Sequence, residues 1–330
     1  MALRTGEVFV KPTTILICIA VQLGLVSARG QNPAASNLDP ATAWATIAAY
    51  QIRVYPDPEL HPLDPPGLVY YRAGNMDLRV GVITPGPPTV VRPTVISIHG
   101  GGWVHYTKDN MIFSILPYLA RGMDVVNVDY RQANEARAPA AVEDCRCALH
   151  WVFKHAKEYG FDTERIVVAG GSAGGHLALM TGMVDEKAGF DDACAFSIGQ
   201  APVKVAAIVD FFGITDVAQQ LQPGPDQRSW AMEWFAGVPN REELARRVSP
   251  LTYVRPNLPP TIMVHGTSDN GVPYEQSVRL HNALDKVGVT NELVTIPNGG
   301  HGVYPDSEKI RAQSEVFRFL EAHGILTPIH

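Results

Sequence analysis

Basic runs are missing from this sequence, and acidic residues outnumber basic ones, leaving a formal net charge of −6. A phosphate backbone would find no electrostatic footprint here, which excludes nucleic acid as a partner. Internal repeats at solenoid period are also missing. Beyond residue 26 there is no apolar stretch long enough to span a bilayer, so no stable membrane span is expected. Cysteine is scarce, at four in 330 residues. Cys18 sits in the N-terminal apolar stretch, which leaves Cys145, Cys147 and Cys194, and an odd number allows at most one internal bridge. Cys145 and Cys147 lie two apart on a predicted helix and point to different sides, so they do not pair with each other. Whether one of them pairs with Cys194 stays open, and Cys-x-Cys without a second motif is a poor metal signal.

What is present is a core. Hydrophobic residues make up 46% and charged ones 18%, which excludes a disordered or fibrous chain. Neutral small molecules are the partners this composition suits. The length accommodates one large α/β domain or two ordinary ones. At the N-terminus, Arg4 and Lys11 precede the apolar run Ile15–Val26, which ends in Val26-Ser27-Ala28. This is the pattern of a cleaved signal peptide over residues 1–28, and it predicts a secreted or periplasmic protein with a mature domain over 29–330.

Beyond a Pro/Ala-rich segment, strands and helices alternate. Gly67–Arg72 and Asp77–Thr84 read as a hairpin around Ala73-Gly74-Asn75. The short Val/Ile runs Thr94–His99, Val125–Asp129, Ile166–Ala169, Val205–Asp210, Thr261–His265 and Leu293–Ile296 read as strands buried on both faces. Between and after them, helical patterns cover Met111–Arg121, Ala141–Tyr159, Gly174–Val184, Tyr274–Val287 and Glu308–His323. The alternation predicts an α/β fold with a mostly parallel sheet flanked by helices. Residues 213–260 break the rhythm, with amphipathic pieces at Arg228–Phe235 and Arg241–Arg247, and read as a small lid or cap insertion.

Two glycine-rich loops carry the chemistry. Gly170-Gly171-Ser172-Ala173-Gly174-Gly175 lies between a strand and a helix, the context a G-x-S-x-G elbow needs to present a serine at the sheet edge. His99-Gly100-Gly101-Gly102-Trp103 closes an earlier strand, and its consecutive glycines let backbone N–H groups approach a developing oxyanion. No Walker-type lysine follows, which argues against a phosphate loop. A nucleophilic serine needs a base and an orienting acid. His301, set in Asn298-Gly299-Gly300-His301-Gly302 after the last strand, is the candidate base. Asp269, in the loop after Thr261–His265, is the candidate acid, with Asp216 as a rival. The chain order Ser172, Asp269, His301 is that of a hydrolase elbow.

With these motifs the sequence resembles the α/β-hydrolase esterases and lipases that carry an HGGG loop, in the hormone-sensitive-lipase-like or feruloyl/acetyl-xylan-esterase-like branch. The likeness runs from about Asp77 to Leu320 and includes Asp129-Tyr130-Arg131, Pro139–Asp144 and Gly160–Ile166 as scaffold. The residue before the serine is Gly171, where many hormone-sensitive-lipase-like members have an acid, and the N-terminal helical cap of that branch looks short. The resemblance implies a serine ester hydrolase with an oxyanion hole from the N–H groups of Gly101, Gly102 and Ala173. The triad mechanism calls for no cofactor and no metal and for a small ester as substrate, and the composition, without a long-chain lipase's large interfacial apolar face, favours short acyl chains. Trp103, Trp230, Trp234 and Phe235 are candidate pocket walls. An amidase, formamidase or serine exopeptidase would use the same triad, and a non-catalytic binding module on the same fold is the other reading.

Overall fold

The computed structural model describes residues 53–54, 67–192, 194 and 203–328. The signal peptide expected over residues 1–28 lies outside them. A nine-stranded sheet organises the chain. Its strands are β1 (Arg53–Val54), β2 (Leu68–Ala73), β3 (Met76–Thr84), β4 (Arg92–Ile98), β5 (Asp124–Val128), β6 (Phe161–Gly171), β7 (Ala207–Phe211), β8 (Thr261–Gly266) and β9 (Asn291–Ile296). They run in the order β1-β3-β5-β4-β6-β7-β8-β9, with β2 paired to the side of β3. The β2–β3 hairpin is antiparallel, as are the pairings of β3 with β1 and β5, and every pairing from β5 through β9 is parallel.

Strand composition explains this division. All of β5 (Asp-Val-Val-Asn-Val) and β8 (Thr-Ile-Met-Val-His-Gly) is buried, as expected for strands covered on both faces. Neighbouring residues divide between two cores: Ile96 and Val168 join one apolar cluster while Val95 and Val167 join the other. The helices are α1 (Ile112–Ala120), α2 (Ala140–Lys154), α3 (Ala156–Tyr159), α4 (Ala173–Met183), α5 (Val217–Leu221), α6 (Ser229–Trp234), α7 (Arg241–Arg247), α8 (Glu275–Lys286) and α9 (Asp306–Ala322). Residues of α2, α4 and the 213–260 insertion fill the first core, and residues of α1 and α9 fill the second.

Among the helices, two details differ from the sequence reading. The predicted helix Ala141–Tyr159 breaks at His155, whose ring stacks on Trp151 at 4.7 Å and pairs with Glu158 at 2.8 Å. The insertion holds an additional short helix, α5, capped by the Asp216 side chain accepting the Gln219 N–H. The open question of the cysteines is also answered. Cys147 pairs with Cys194, and Cys145 is a buried free thiol. No helix among the described residues is long and apolar enough to cross a membrane.

The register places the functional loops. Ile98 of β4 lies beside Gly170 of β6, Gly171 beside Phe211 of β7, Phe211 beside Val264 of β8, and Gly266 beside Ile296 of β9. The C-terminal ends of these strands therefore line up, and the loops that leave them converge on one edge.

One buried acid near this edge has a measurable consequence. Asp210 is wholly buried in β7; its Oδ1 accepts the Gly213 N–H at 2.9 Å, and its Oδ2 has no hydrogen-bond partner among the described residues. Burial pushes its pKa up to about 7, against weaker downward pulls from His265 and the Gly213 bond. The folded state thus holds a proton that the unfolded chain releases near pH 4, so the group destabilises the fold progressively as pH rises from about 4 through about 7. Asp210→Asn keeps the bond to Gly213 and removes the titration. The melting temperature of the variant should fall less than that of the parent between pH 5 and 8, by about 3–6 °C. Parallel melting curves across that range would contradict the assignment.

Candidate active site

Ser172 stands at the turn between β6 and α4 with φ +58° and ψ −123°, a conformation rarely adopted by a residue with a side chain. The surroundings hold it there: its N–H donates to the Phe211 carbonyl at 2.9 Å, and its carbonyl accepts the His176 N–H at 3.0 Å. Gly174 is required by close approach, because a Cβ there would lie 2.2 Å from the Ile98 carbonyl oxygen. The strained turn pushes the serine hydroxyl out of the sheet edge, in front of the first turn of α4.

The structure brings His301 and Asp269 to this serine. His301 Nε2 lies 2.9 Å from Ser172 Oγ, and its Nδ1 lies 2.8 Å from Asp269 Oδ2. The other oxygen, Asp269 Oδ1, accepts the N–H groups of Gly271 and Val272, each at 2.8 Å. Burial acts to raise the Asp269 pKa, but hydrogen bonds from His265 and His301 outweigh it and hold the carboxyl well below the usual carboxylate range. A permanently ionised acid fixes the proton of His301 on Nδ1 and leaves Nε2 as an acceptor facing the serine hydroxyl. The rival Asp216 is occupied elsewhere, capping α5 and pairing with Arg279 at 3.0 Å.

Sequence reasoning assigned no role to His265. It is fully buried at the end of β8, with Nε2 3.0 Å from the Val272 carbonyl and 3.3 Å from Asp269 Oδ2, and Nδ1 2.7 Å from Ser277 Oγ. Asp269 is therefore gripped by two imidazoles and two backbone amides. Arg228 was missed as well. Its guanidinium donates to the carbonyls of Asn270 at 3.1 Å and Gly271 at 2.7 Å, tying the insertion to the acid loop. The only signal for either was proximity to Asp269 or to the insertion.

The glycine loop after β4 faces the serine. Gly101 has φ +105°, and a Cβ there would lie 2.1 Å from the His105 carbonyl oxygen, so the position accepts only glycine. Tyr130 donates its hydroxyl to the His99 and Gly100 carbonyls at 3.1 and 3.2 Å, and His99 Nδ1 lies 2.8 Å from the latter. Among the described residues, no hydrogen bond uses the N–H of Gly101, Gly102 or Ala173. Loop and serine share a cavity of about 460 Å³, whose other walls include Tyr106, Phe212, Trp230, Glu233 and His301.

Of the four aromatic candidates for the pocket wall, only Trp230 lines this cavity. Trp103, Trp234 and Phe235 are at most 1% exposed and pack behind the loop. Trp103 stacks on Trp234 with centroids 4.2 Å apart and donates its indole N–H to His176 Nδ1 at 3.2 Å. His176 Nε2 in turn lies 2.6 Å from the Val248 carbonyl. Burial lowers the His176 pKa to about 4, so the ring is neutral and can accept the indole proton. These rings are a foundation joining the glycine loop, α4 and the insertion, which is why they are buried rather than facing substrate.

Comparison with known proteins agrees with this geometry. The sequence matches the BD-FAE family over residues 82–284, more than half of the chain. The chain belongs to the BD-FAE family. This BD-FAE protein is 29% identical over 223 residues to esterase LipC of Mycobacterium tuberculosis, a match covering 65% of the chain and 54% of LipC. It thus spans about half the length of that relative. Among solved structures, Thermogutta terrifontis esterase 2 phosphorylated by paraoxon superimposes with TM-score 0.65 at 28% identity, covering 82% of this chain and 99% of that one. The butyrate-bound form of that esterase gives TM-score 0.67 at 29% identity, covering 80% and 95%. The architecture is that of an α/β-hydrolase.

Proposed function

We propose that this BD-FAE protein is a serine carboxylic-ester hydrolase acting on short-chain acyl esters through an acyl-enzyme, with Ser172 as nucleophile, His301 as general base and acid, and Asp269 as orienting acid. The observation that carries the reading is the unbroken hydrogen-bonded chain from Ser172 through His301 to Asp269, with Ser172 and His301 lining a cavity they share with the glycine loop. Ser172 Oγ attacks the ester carbonyl as His301 Nε2 takes its proton. The oxyanion is received by the N–H groups of Gly101, Gly102 and Ala173, each worth roughly 3 kcal/mol of transition-state stabilisation. The imidazolium then protonates the leaving alcohol. In the second half-reaction His301 draws a proton from water, which attacks the acyl carbonyl and returns Ser172.

A cavity of about 460 Å³ is of the size usual for a small-molecule site. The related esterases support the ester class, and the butyrate-bound neighbour supports the short-chain preference. Placement in the secreted or periplasmic space is part of the same proposal, supported by the leader-like N-terminus and by the Cys147–Cys194 bridge, which suits an oxidising compartment. The test is hydrolysis of p-nitrophenyl esters from C2 to C16 beside a p-nitroanilide. Turnover should be greatest on the short esters and negligible on the anilide. Preferential cleavage of the anilide would replace the ester reading with an amidase.

A further inference from the structure

A second cavity, of about 610 Å³, lies on the far side of the nucleophile loop. Its walls are chiefly apolar, among them Ile98 of β4, Pro117 and Tyr118 of α1, Phe211, and Phe317 of α9, with Ile310 exposed at the rim. The substrate cavity and this one share two residues, Gly171 and Phe212. Gly171 has no side chain, so Phe212 is the one side chain that lines both cavities.

The way the ring is seated supports this. Phe212 has φ +44°, a strained value for a bulky residue just past the end of β7. Its ring sits between the nucleophile loop and the histidine loop, in space both leave open. A Cβ on Gly171 would lie 3.2 Å from the ring, and one on Gly302 would lie 2.9 Å from it. The ring also meets His301 edge-on, with centroids 4.8 Å apart. Two positions without side chains, one beside Ser172 and one beside His301, thus frame a single phenyl group that borders both the substrate cavity and a larger apolar space.

We infer that Phe212 is a specificity-determining residue that limits ester length, and that the cavity behind it is a binding site for an unbranched hydrocarbon limb of an ester once the ring is reduced. The inference rests on the ester-hydrolase reading and goes beyond it by naming the residue that ends the pocket. Acyl and alcohol limbs have the same chemistry here, and the experiment separates them.

The experiment compares the parent protein with Phe212→Ala and the milder Phe212→Leu on two series: p-nitrophenyl esters of C2 to C12 acids, and acetates of C2 to C10 alcohols. The readout is the ratio of kcat/KM for a C8 substrate to that for a C2 substrate, which cancels any general loss from disturbing His301. In one series the ratio should rise about tenfold in Phe212→Ala and less in Phe212→Leu, as expected for apolar groups gaining a pocket. The series that responds identifies the limb. Adding Ala312→Phe, which fills the cavity from α9, to the Phe212→Ala variant should return the ratio to the parent value. Unchanged ratios in both series, or a rise that survives filling the cavity, would overturn the inference without bearing on the ester-hydrolase reading. A parent protein with no Ser172-dependent turnover would instead overturn the ester reading on which the inference rests.

Discussion

Ser172→Ala should lower kcat for p-nitrophenyl acetate by about a millionfold while leaving the melting temperature unchanged. Alanine keeps the Cβ and therefore the same backbone strain at φ +58°. The bond from the backbone N–H to Phe211 is also kept. Only the hydroxyl oxygen is lost. What survives should be the stabilisation offered by the glycine loop to a water-driven reaction, about a thousandfold over the uncatalysed rate. Steady-state kinetics and a thermal melt on the same preparation check both halves. A loss of only tenfold, or a matching loss of stability, would mean that Ser172 shapes the turn without attacking the substrate.

Asp269→Asn should cost about ten-thousandfold in kcat, and the structure shows why so similar a residue should cost so much. Asp269 Oδ1 accepts two backbone N–H groups at 2.8 Å, so an asparagine must place its carbonyl oxygen there. Its amide nitrogen then faces His301 Nδ1 and donates to it. That fixes the imidazole proton on Nε2, where it points at Ser172 and can accept nothing. His265, whose Nε2 is 3.3 Å from the same carboxyl oxygen, would meet the amide as a second donor and disfavour it further. The effect should fall on kcat with little change in KM. Combined with Ser172→Ala it should add almost nothing, because the three groups act as one unit. Kinetics of the two single variants and the double variant measure this directly, and a double variant thousands of times slower than Ser172→Ala would contradict it.

The parts of the site that could be read from sequence share one property: each is announced by its own neighbours along the chain. Ser172 lies between a Val/Ile strand and a helix, and His301 and Asp269 sit in turn-rich loops directly after strands. Parallel topology then carries all three to one sheet edge, where Gly170 lies level with Ile98 and Gly266 level with Ile296. Burial of aromatics has no such local signature. Trp230 and Trp234 are four apart on α6, yet one lines the cavity and the other stacks beneath Trp103. That difference is set by where the insertion settles, through contacts as remote in sequence as His176 with Val248. Phe212 and His265 were missed for the same reason. Each is an ordinary residue near a strand end, and its contacts with the site come from loops that meet it only after folding. The disulfide partner was a question of helix face, and α2 turns Cys147 rather than Cys145 toward Cys194.

Paraoxon, which phosphorylates the related Thermogutta terrifontis esterase, would show whether Ser172 is the nucleophile of an acyl-enzyme mechanism. Treated protein would be digested and its peptides mapped by mass spectrometry, with residual activity on p-nitrophenyl acetate followed in parallel. One diethylphosphoryl group per chain is expected, on Ser172, rising in step with loss of activity. Complete inactivation with the label on another residue, or full activity with Ser172 labelled, would contradict it.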